Sequence, residues 1–373
     1  SVLVAASTLY NADDIKLVVQ GEQYRDAWST PVNVPILFLD TLFGGVTIVK
    51  EGGGKQTHSL KLQSKNGIIY TLRSINKDPE PLVPEFAKTL GLENIIVDGI
   101  SAQHPYAAIL VAELAEAADV LHTHPKAVFV PKQKALNSYN EKYGNRLFLL
   151  EYETEGDVNW THLSEIEELL DTEDLQELKL ESDIPVRIDK NTLIRSRLFD
   201  LLIGDWDRHT KQWGWAIQRR MDSLIAYPIA GDRDNAFFNT EGIVPSIMTN
   251  EYVVPELRPF KNDIDFMPGL VYPFDRYFLI DTPEEKFVAQ AEQLQLLLTD
   301  DVIDSALTVW TKELNDLHGK SITDKIKHRR DQLVTYAKAF KKNIDEKGKV
   351  KEALKGSEDL ELPAYLKECF SCN

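Results

Sequence analysis

The stretch Asp205-Trp-Asp-Arg-His-Thr-Lys-Gln212 gathers two carboxylates, one imidazole, two cations and an amide within eight residues. A second acidic stretch, Gly231-Asp-Arg-Asp-Asn-Ala-Phe-Phe238, follows at a separation that a hairpin can span. Carboxylates converging from two loops are oxygen ligands suited to Mg²⁺, an ion that keeps several waters and is shared with substrate phosphates. The chemistry such a constellation serves is phosphoryl transfer, in which a metal and fixed charges steady the moving phosphate. Charged groups crowded together must find partners, water or a cation, because burying them unpaired costs several kcal/mol.

Two elements must position the first stretch. Ahead of it, Leu193, Ile194, Leu198, Leu201 and Leu202 recur at helical spacing, with Asp189 or Asn191 available to cap the start. Gly204 suits the left-handed position just past that helix. Behind it, Trp213, Trp215 and Ile217 alternate with Gly214 and Ala216, the period of a strand with one buried face. Residues 219–223 read as a polar turn and 224–229 as a second strand, so the hairpin returns Asp232 and Asp234 towards Asp207. Helix, acidic loop, strand pair, acidic loop is also the order of the catalytic half of a protein kinase.

At this point the chain resembles known families. Asp207-Arg-His-Thr-Lys-Gln212 is similar to the Asp-x-His-x-Lys-Asn catalytic loop of HipA-type bacterial kinases. It also resembles the Asp-Arg-His loop of secretory casein-kinase-like enzymes and the Asp-Arg loop of type II phosphatidylinositol 4-kinases. Asp234-Asn-Ala-Phe resembles the metal-binding motif of those last two groups. The stretches around Ala102-Gln-His-Pro-Tyr106 and Arg197-Leu-Phe-Asp-Leu201 look like an uncharacterised module of Bacteroidetes surface proteins. That last likeness implies a cell-envelope or extracytoplasmic setting. The kinase resemblance implies an α+β, two-lobed protein-kinase-like fold, with a small antiparallel β lobe and a mainly helical large lobe. It implies transfer of the ATP γ-phosphoryl group with Mg²⁺ or Mn²⁺ to an unknown protein, lipid, sugar or small-molecule hydroxyl. Asp207 would orient the acceptor and take its proton, Asp234 would bind the metal with Gln212 assisting, and Asp232 is a second metal candidate. One departure is that the family's metal-binding Asn is Gln212 here, a longer amide with the same carbonyl oxygen. Arg208 and His209 would hold the loop by hydrogen bonds, with His209 a further candidate for proton transfer, and Asp205 would cap backbone N–H groups.

Upstream lies a meander of short strands at 46–49, 59–63 and 68–75, with Gly52, Gly53 and Gly54 in the first turn and Asn66-Gly67 in the second. In a kinase small lobe the glycine-rich turn covers the phosphates, because only glycine lets backbone N–H groups approach so closely. The third strand should carry a phosphate-binding cation, and Arg73 stands where the related families have Lys, with Lys61 and Lys77 as substitutes. Helices are expected at 84–90 and 105–118, the second offering Glu113 or Glu116 to pair with that cation. His122 and His124 flank Thr123 in a turn, and without a third ligand nearby no metal role is expected of them. Strands at 128–130 and 147–152 follow, the latter ending in Glu151-Tyr152-Glu153, which resembles a kinase hinge whose backbone meets adenine.

Residues 155–182 read as the lobe boundary with one acidic helix, 241–277 as irregular, and 284–298, 301–317 and 323–344 as helices. The expected organisation is an N-terminal extension over 1–44, a small lobe over 45–156, a large lobe over 157–344 and a tail or linker over 345–373. The chain has 42 Lys and Arg against 59 Asp and Glu, a net charge of −17, which argues against a nucleic-acid partner or an anionic membrane surface. ATP remains compatible, since a bound divalent ion supplies local positive charge. No apolar run reaches the ~20 residues of a membrane span. The start, Ser1-Val-Leu-Val-Ala-Ala-Ser7, lacks Met and a basic region, so no signal peptide is expected and the chain reads as trimmed or processed. Cys369 and Cys372 are the only cysteines, and the fold is not expected to need disulfides. Two other readings stay open. One is a pseudokinase binding module, compatible with Arg73 and Gln212. The other is a glycosyltransferase using Asp205-x-Asp207 or Asp232-x-Asp234, which calls for an alternating parallel α/β start.

Overall fold

A computed structural model describes residues 1–12, 17, 20–52, 58–77, 98–240, 251, 254–351 and 354. The fold is α+β and two-lobed, with an antiparallel sheet in the smaller first lobe and most helices in the larger second one. The chain opens with an antiparallel pair, β1 (Val2–Val4) and β2 (Val32–Val34), with α1 (Arg25–Ser29) between them. This segment is not a loose appendage: Tyr10, Tyr24 and Trp28 are buried in the main core, and the Tyr24 hydroxyl donates to Phe237 O at 2.6 Å.

The small lobe is a five-stranded antiparallel sheet in the order β3-β4-β5-β7-β6. Its strands are β3 (Val46–Gly52), β4 (Ser59–Ser64), β5 (Ile69–Ser74), β6 (Lys126–Val130) and β7 (Arg146–Tyr152). Successive side chains on a strand point to opposite faces. Leu60, Leu62, Leu72, Val128, Phe148 and Leu150 therefore close one core, while Lys61, Thr71, Arg73 and Glu151 face the cleft between the lobes. The antiparallel start departs from the parallel α/β opening that glycosyl transfer calls for. Helix α2 (Ala107–Ala117) buries Leu110, Val111 and Leu114 in the large core. The helix expected at 84–90 lies outside the described residues, as do Gly53, Gly54 and both cysteines.

The large lobe holds a sheet that the sequence reading only half found. The hairpin β10 (Trp213–Arg220) and β11 (Ser223–Ala230) pairs as expected, Trp213 opposite Ala230. It is flanked by β8 (Ile166–Asp171), antiparallel to β10, and β9 (Val186–Ile188), parallel to β11. Strand β8 falls in the stretch read as a polar boundary, and β9 just beyond it, in residues to which the sequence pattern assigns no element. Their faces are partly exposed, so the apolar alternation that marks a strand is diluted. The helices are α3 (Thr172–Glu181), α4 (Lys190–Ile203), α5 (Pro273–Leu279), α6 (Glu284–Leu297), α7 (Asp300–Ala306), α8 (Lys320–Asp331) and α9 (Leu333–Lys347). The single helix expected over 301–317 breaks at Trp310, whose backbone is extended. There the indole stacks on His104 at 4.3 Å and donates to Tyr106 O at 3.0 Å, tertiary contacts a continuous helix would forfeit. The helix expected at 323–344 is two, with a break at Gln332. The expected tail is not wholly separate, since Val350 and Leu354 pack on Tyr277. Among the described residues no helix is long and apolar enough to cross a membrane.

Candidate active site

Helix α4 delivers the chain to the acidic loop as the sequence spacing requires. Asp189 caps it by accepting from Thr192 N at 2.8 Å. Gly204 ends it at φ 69°, ψ 30°, and a Cβ there would meet Phe260 at 2.6 Å, so both the conformation and the space demand glycine. The hairpin then brings the second loop back, and Gly231 N donates to Gln212 O at 3.0 Å.

Both loops open into one cleft of about 500 Å³ facing the small-lobe sheet. Asp207, His209, Gln212, Asp232 and Asp234 line its large-lobe side, and Gly52, Lys61, Arg73, Glu151 and Tyr152 its small-lobe side. Asp207 accepts a long bond from Asn235 Nδ2 at 3.5 Å, and its Oδ1 lies 3.8 Å from His209 Nε2. Its backbone N–H donates to Asp205 Oδ1 at 3.3 Å. His209 Nδ1 accepts from Lys211 N at 3.2 Å, which leaves the proton of a neutral ring on Nε2, on the side of Asp207.

The cations take up distinct posts. Arg73 pairs with Glu151 and with Asp232, while Lys77 meets Asp234 at 2.8 Å. Burial alone would lower the Arg73 pKa, but Asp232, Glu151 and Asp234 outweigh it and hold it above its ordinary value. Lys61, farther along the cleft, pairs with Glu153, at 3.5 Å, and Glu155. The carboxylate that pairs with the strand cation is thus Glu151, from β7, and neither Glu113 nor Glu116 of α2. Its other oxygen accepts from Thr123 Oγ1 at 2.5 Å. Two backbone donors of the stretch expected to meet adenine are committed to the fold: Tyr152 N donates to Thr123 O at 2.9 Å and Glu153 N to Ile69 O at 3.0 Å.

Asp232 and Asp234 have opposite characters. Burial works against ionisation of Asp232, yet Arg73 and Lys77 prevail and depress its pKa. Asp234 is raised, by burial and then by the Asp232 charge, with Lys77 only partly compensating. Asp232 Oδ1 rests against the Arg73 guanidinium, so two carboxylates and two cations share this corner of the cleft. Carboxylate oxygens are the donor set of Mg²⁺ or Mn²⁺, and a divalent cation between the two would relieve the crowding that raises Asp234.

Beneath the cleft lies a feature the sequence reading missed. Asp200, fully buried, sits 2.9 Å from Arg197, 3.0 Å from Arg233 and 3.2 Å from Arg208. Arg197 continues to Asp275 at 2.6 Å. Arg208 donates to Gly231 O at 2.7 Å, tying the two acidic loops together. Asp205, 3.6 Å from Arg208, is pushed well above its ordinary pKa, first by burial and then by Asp200 and Asp207 against the pull of Arg208. The signal was available: Arg197 and Asp200 stand three apart in a helix, a spacing that puts them side by side, among the apolar residues Leu198, Phe199, Leu201 and Leu202.

No protein-family model matches the chain, and no curated protein is significantly similar in sequence. Solved structures of similar arrangement include the Helicobacter pylori proinflammatory kinase CtkA, at 13% identity over 84% of this chain and 99% of that one, TM-score 0.46. The HipA–HipB toxin–antitoxin complex with operator DNA of Shewanella oneidensis MR-1 gives 10% identity over 80% and 67%, TM-score 0.35. A Golgi casein kinase gives 11% over 93% and 85%, TM-score 0.32. All three scores are below 0.5, so the chemistry must be read from this chain's own side chains.

Proposed function

We propose that the cleft binds a nucleoside triphosphate with a divalent ion and transfers its γ-phosphoryl group to an acceptor hydroxyl, as an atypical kinase. The observation that carries this reading is the convergence of Asp207 with Asp232 and Asp234 opposite Arg73 and Lys77 in one cleft. Asp232 and Asp234 would hold Mg²⁺ or Mn²⁺, with the Gln212 amide beside them. Such an ion neutralises phosphate charge as the transferred group moves. That help is needed here, because the cleft is lined by five carboxylates against the four cations Lys61, Arg73, Lys77 and Lys211. Arg73 and Lys77 would exchange their carboxylate partners for phosphate oxygens. Asp207 would orient the acceptor hydroxyl and take its proton as the oxygen attacks phosphorus, and the nucleoside diphosphate would leave. Asn235 and His209 would keep the Asp207 carboxylate directed into the cleft.

A second reading has its own observation. Arg73 and Lys77 already occupy the two carboxylates, an arrangement a pseudokinase could keep permanently. Thermal unfolding with Mg²⁺·ATP, on wild type and Asp234→Ala, tests the nucleotide site. A ligand at ~100 times its dissociation constant stabilises by ~2.7 kcal/mol. A metal-dependent gain that disappears in the variant supports the site, and no gain in the wild type removes it.

A further inference from the structure

His122 and His124 gain in three dimensions the third ligand they lack in sequence. The last turn of α2 brings Glu116 to them, and the donor atoms of Glu116, His122 and His124 all lie within 4.8 Å of one another. His124 sits at φ 51°, a conformation non-glycine residues seldom take, and its ring comes to 4.1 Å from that of His122. His122 is buried, and its Nδ1 lies 3.0 Å from Val120 O. Donation to that carbonyl fixes the tautomer and leaves the Nε2 lone pair free, the arrangement usual for a metal-ligating histidine. Among the described residues, no hydrogen bond engages His122 Nε2, either ring nitrogen of His124 or the Glu116 carboxylate.

We infer that Glu116, His122 and His124 form a second metal site, separate from the phosphate-facing carboxylates, which takes a zinc-class divalent ion. Two imidazoles and one carboxylate are a donor set for a late first-row metal rather than Mg²⁺. Ligands at ~2.0–2.2 Å around a tetrahedral ion stand ~3.4 Å apart. The present span therefore closes by roughly 1–1.5 Å, a movement within reach of the exposed Glu116 side chain. The C-terminal end of α2 carries negative helix-dipole character and has no basic residue in its last turn, which also favours a cation. The site would fasten three parts of the cleft wall. His122 bridges to Ala230 at the end of β11, Thr123 O holds Tyr152 N, and Thr123 Oγ1 holds Glu151, the partner of Arg73.

Titration of the full chain with Co²⁺, followed by displacement with Zn²⁺, tests the site through the visible absorption of bound cobalt. The expected result is one equivalent with a tetrahedral-type spectrum, displaced by Zn²⁺. His124→Ala should weaken binding by more than the ~10–100-fold that loss of an outer-shell partner costs. Glu116→Gln, a near-isosteric change at an exposed position, should weaken it as well. Asp234→Ala and the double variant Cys369→Ser/Cys372→Ser should bind as wild type does. Absence of such a spectrum in the wild type overturns the inference, as does binding that survives both His124→Ala and Glu116→Gln or follows Asp234 or the cysteines.

Discussion

Asp200 is the group on which the site's frame depends most, and Asp200→Asn isolates its charge at nearly constant volume. The carboxylate is fully buried and serves three guanidinium groups, those of Arg197, Arg208 and Arg233. Without it Arg197 retains Asp275, but Arg208 keeps Asp205 at 3.6 Å as its carboxylate beside the neutral Gly231 O at 2.7 Å, and Arg233 keeps the Ser196 hydroxyl at 2.9 Å. Breaking a buried pair by removing one partner costs about 3–5 kcal/mol, because the remaining charge stays buried without compensation. Set against a total stability of ~5–15 kcal/mol, that is a third or more of the whole in most cases. Urea unfolding of both proteins measures it, read as a lower midpoint at unchanged m-value. Burial opposes the Asp200 charge, but the three arginines outweigh it and depress its pKa. Its contribution is therefore complete above the ~3.9 of an unfolded aspartate and lost as pH falls through the depressed value. The deficit of the variant should hold steady from pH 5 to 8 and shrink only in strong acid. Adding Arg233→Met should restore part of the loss by removing one orphaned charge. A loss under ~1 kcal/mol at pH 7 would refute the buried-network reasoning.

Gly204→Ala should cost ~2 kcal/mol or more, since the residue pays for a left-handed backbone and its Cβ meets the buried Phe260 ring at 2.6 Å. Chemical unfolding checks it, and a neutral result would mean the helix end relaxes freely. Lys77→Met should raise Mn²⁺ affinity in the absence of nucleotide, by freeing Asp234, while lowering affinity for ATP; titration of Mn²⁺ and of ATP separates the two effects. Glu173, on α3, is pushed up to about 7 by burial and then by the Asp171 charge. A raised carboxyl stabilises the fold below its unfolded value and loses that effect as pH rises through about 7. Glu173→Gln should thus flatten the fall in stability between about pH 4.5 and 7, by about 1–2 kcal/mol after allowance for partial exposure. Unfolding curves across that range that match the wild type would show no such shift.

Much of the site was legible in sequence because its parts are local. The helical leucines, Gly204 and the alternating tryptophans set the first loop between two core elements, and a short turn returns the second loop beside it. Local rules also found the small-lobe meander through Asn66-Gly67 and the alternation of Leu60 and Leu62. Less legible were choices that depend on distant neighbours. Whether Arg73 would meet Glu113, Glu116 or Glu151 depends on how α2 and β7 stand across the sheet, a register no local pattern encodes. The edge strands β8 and β9 lack apolar alternation because they are only half covered. Trp310 interrupts a helical pattern because His104 and Tyr106, some two hundred residues earlier, reward an extended backbone there. Glu116 joins His122 and His124 only because the chain reverses after α2.

Phosphoryl transfer itself is tested most directly by incubating the full chain with γ-labelled ATP and Mg²⁺ and following both nucleoside diphosphate and labelled product. Removing a positioned general base usually costs ~10²–10⁴-fold in rate. If the cleft transfers phosphate, the wild type forms ADP in a metal-dependent reaction, and Asp207→Asn, folded and still binding ATP, loses at least ~100-fold of it. Binding of Mg²⁺·ATP without turnover in the wild type, or equal turnover in Asp207→Asn, would contradict the proposed transfer.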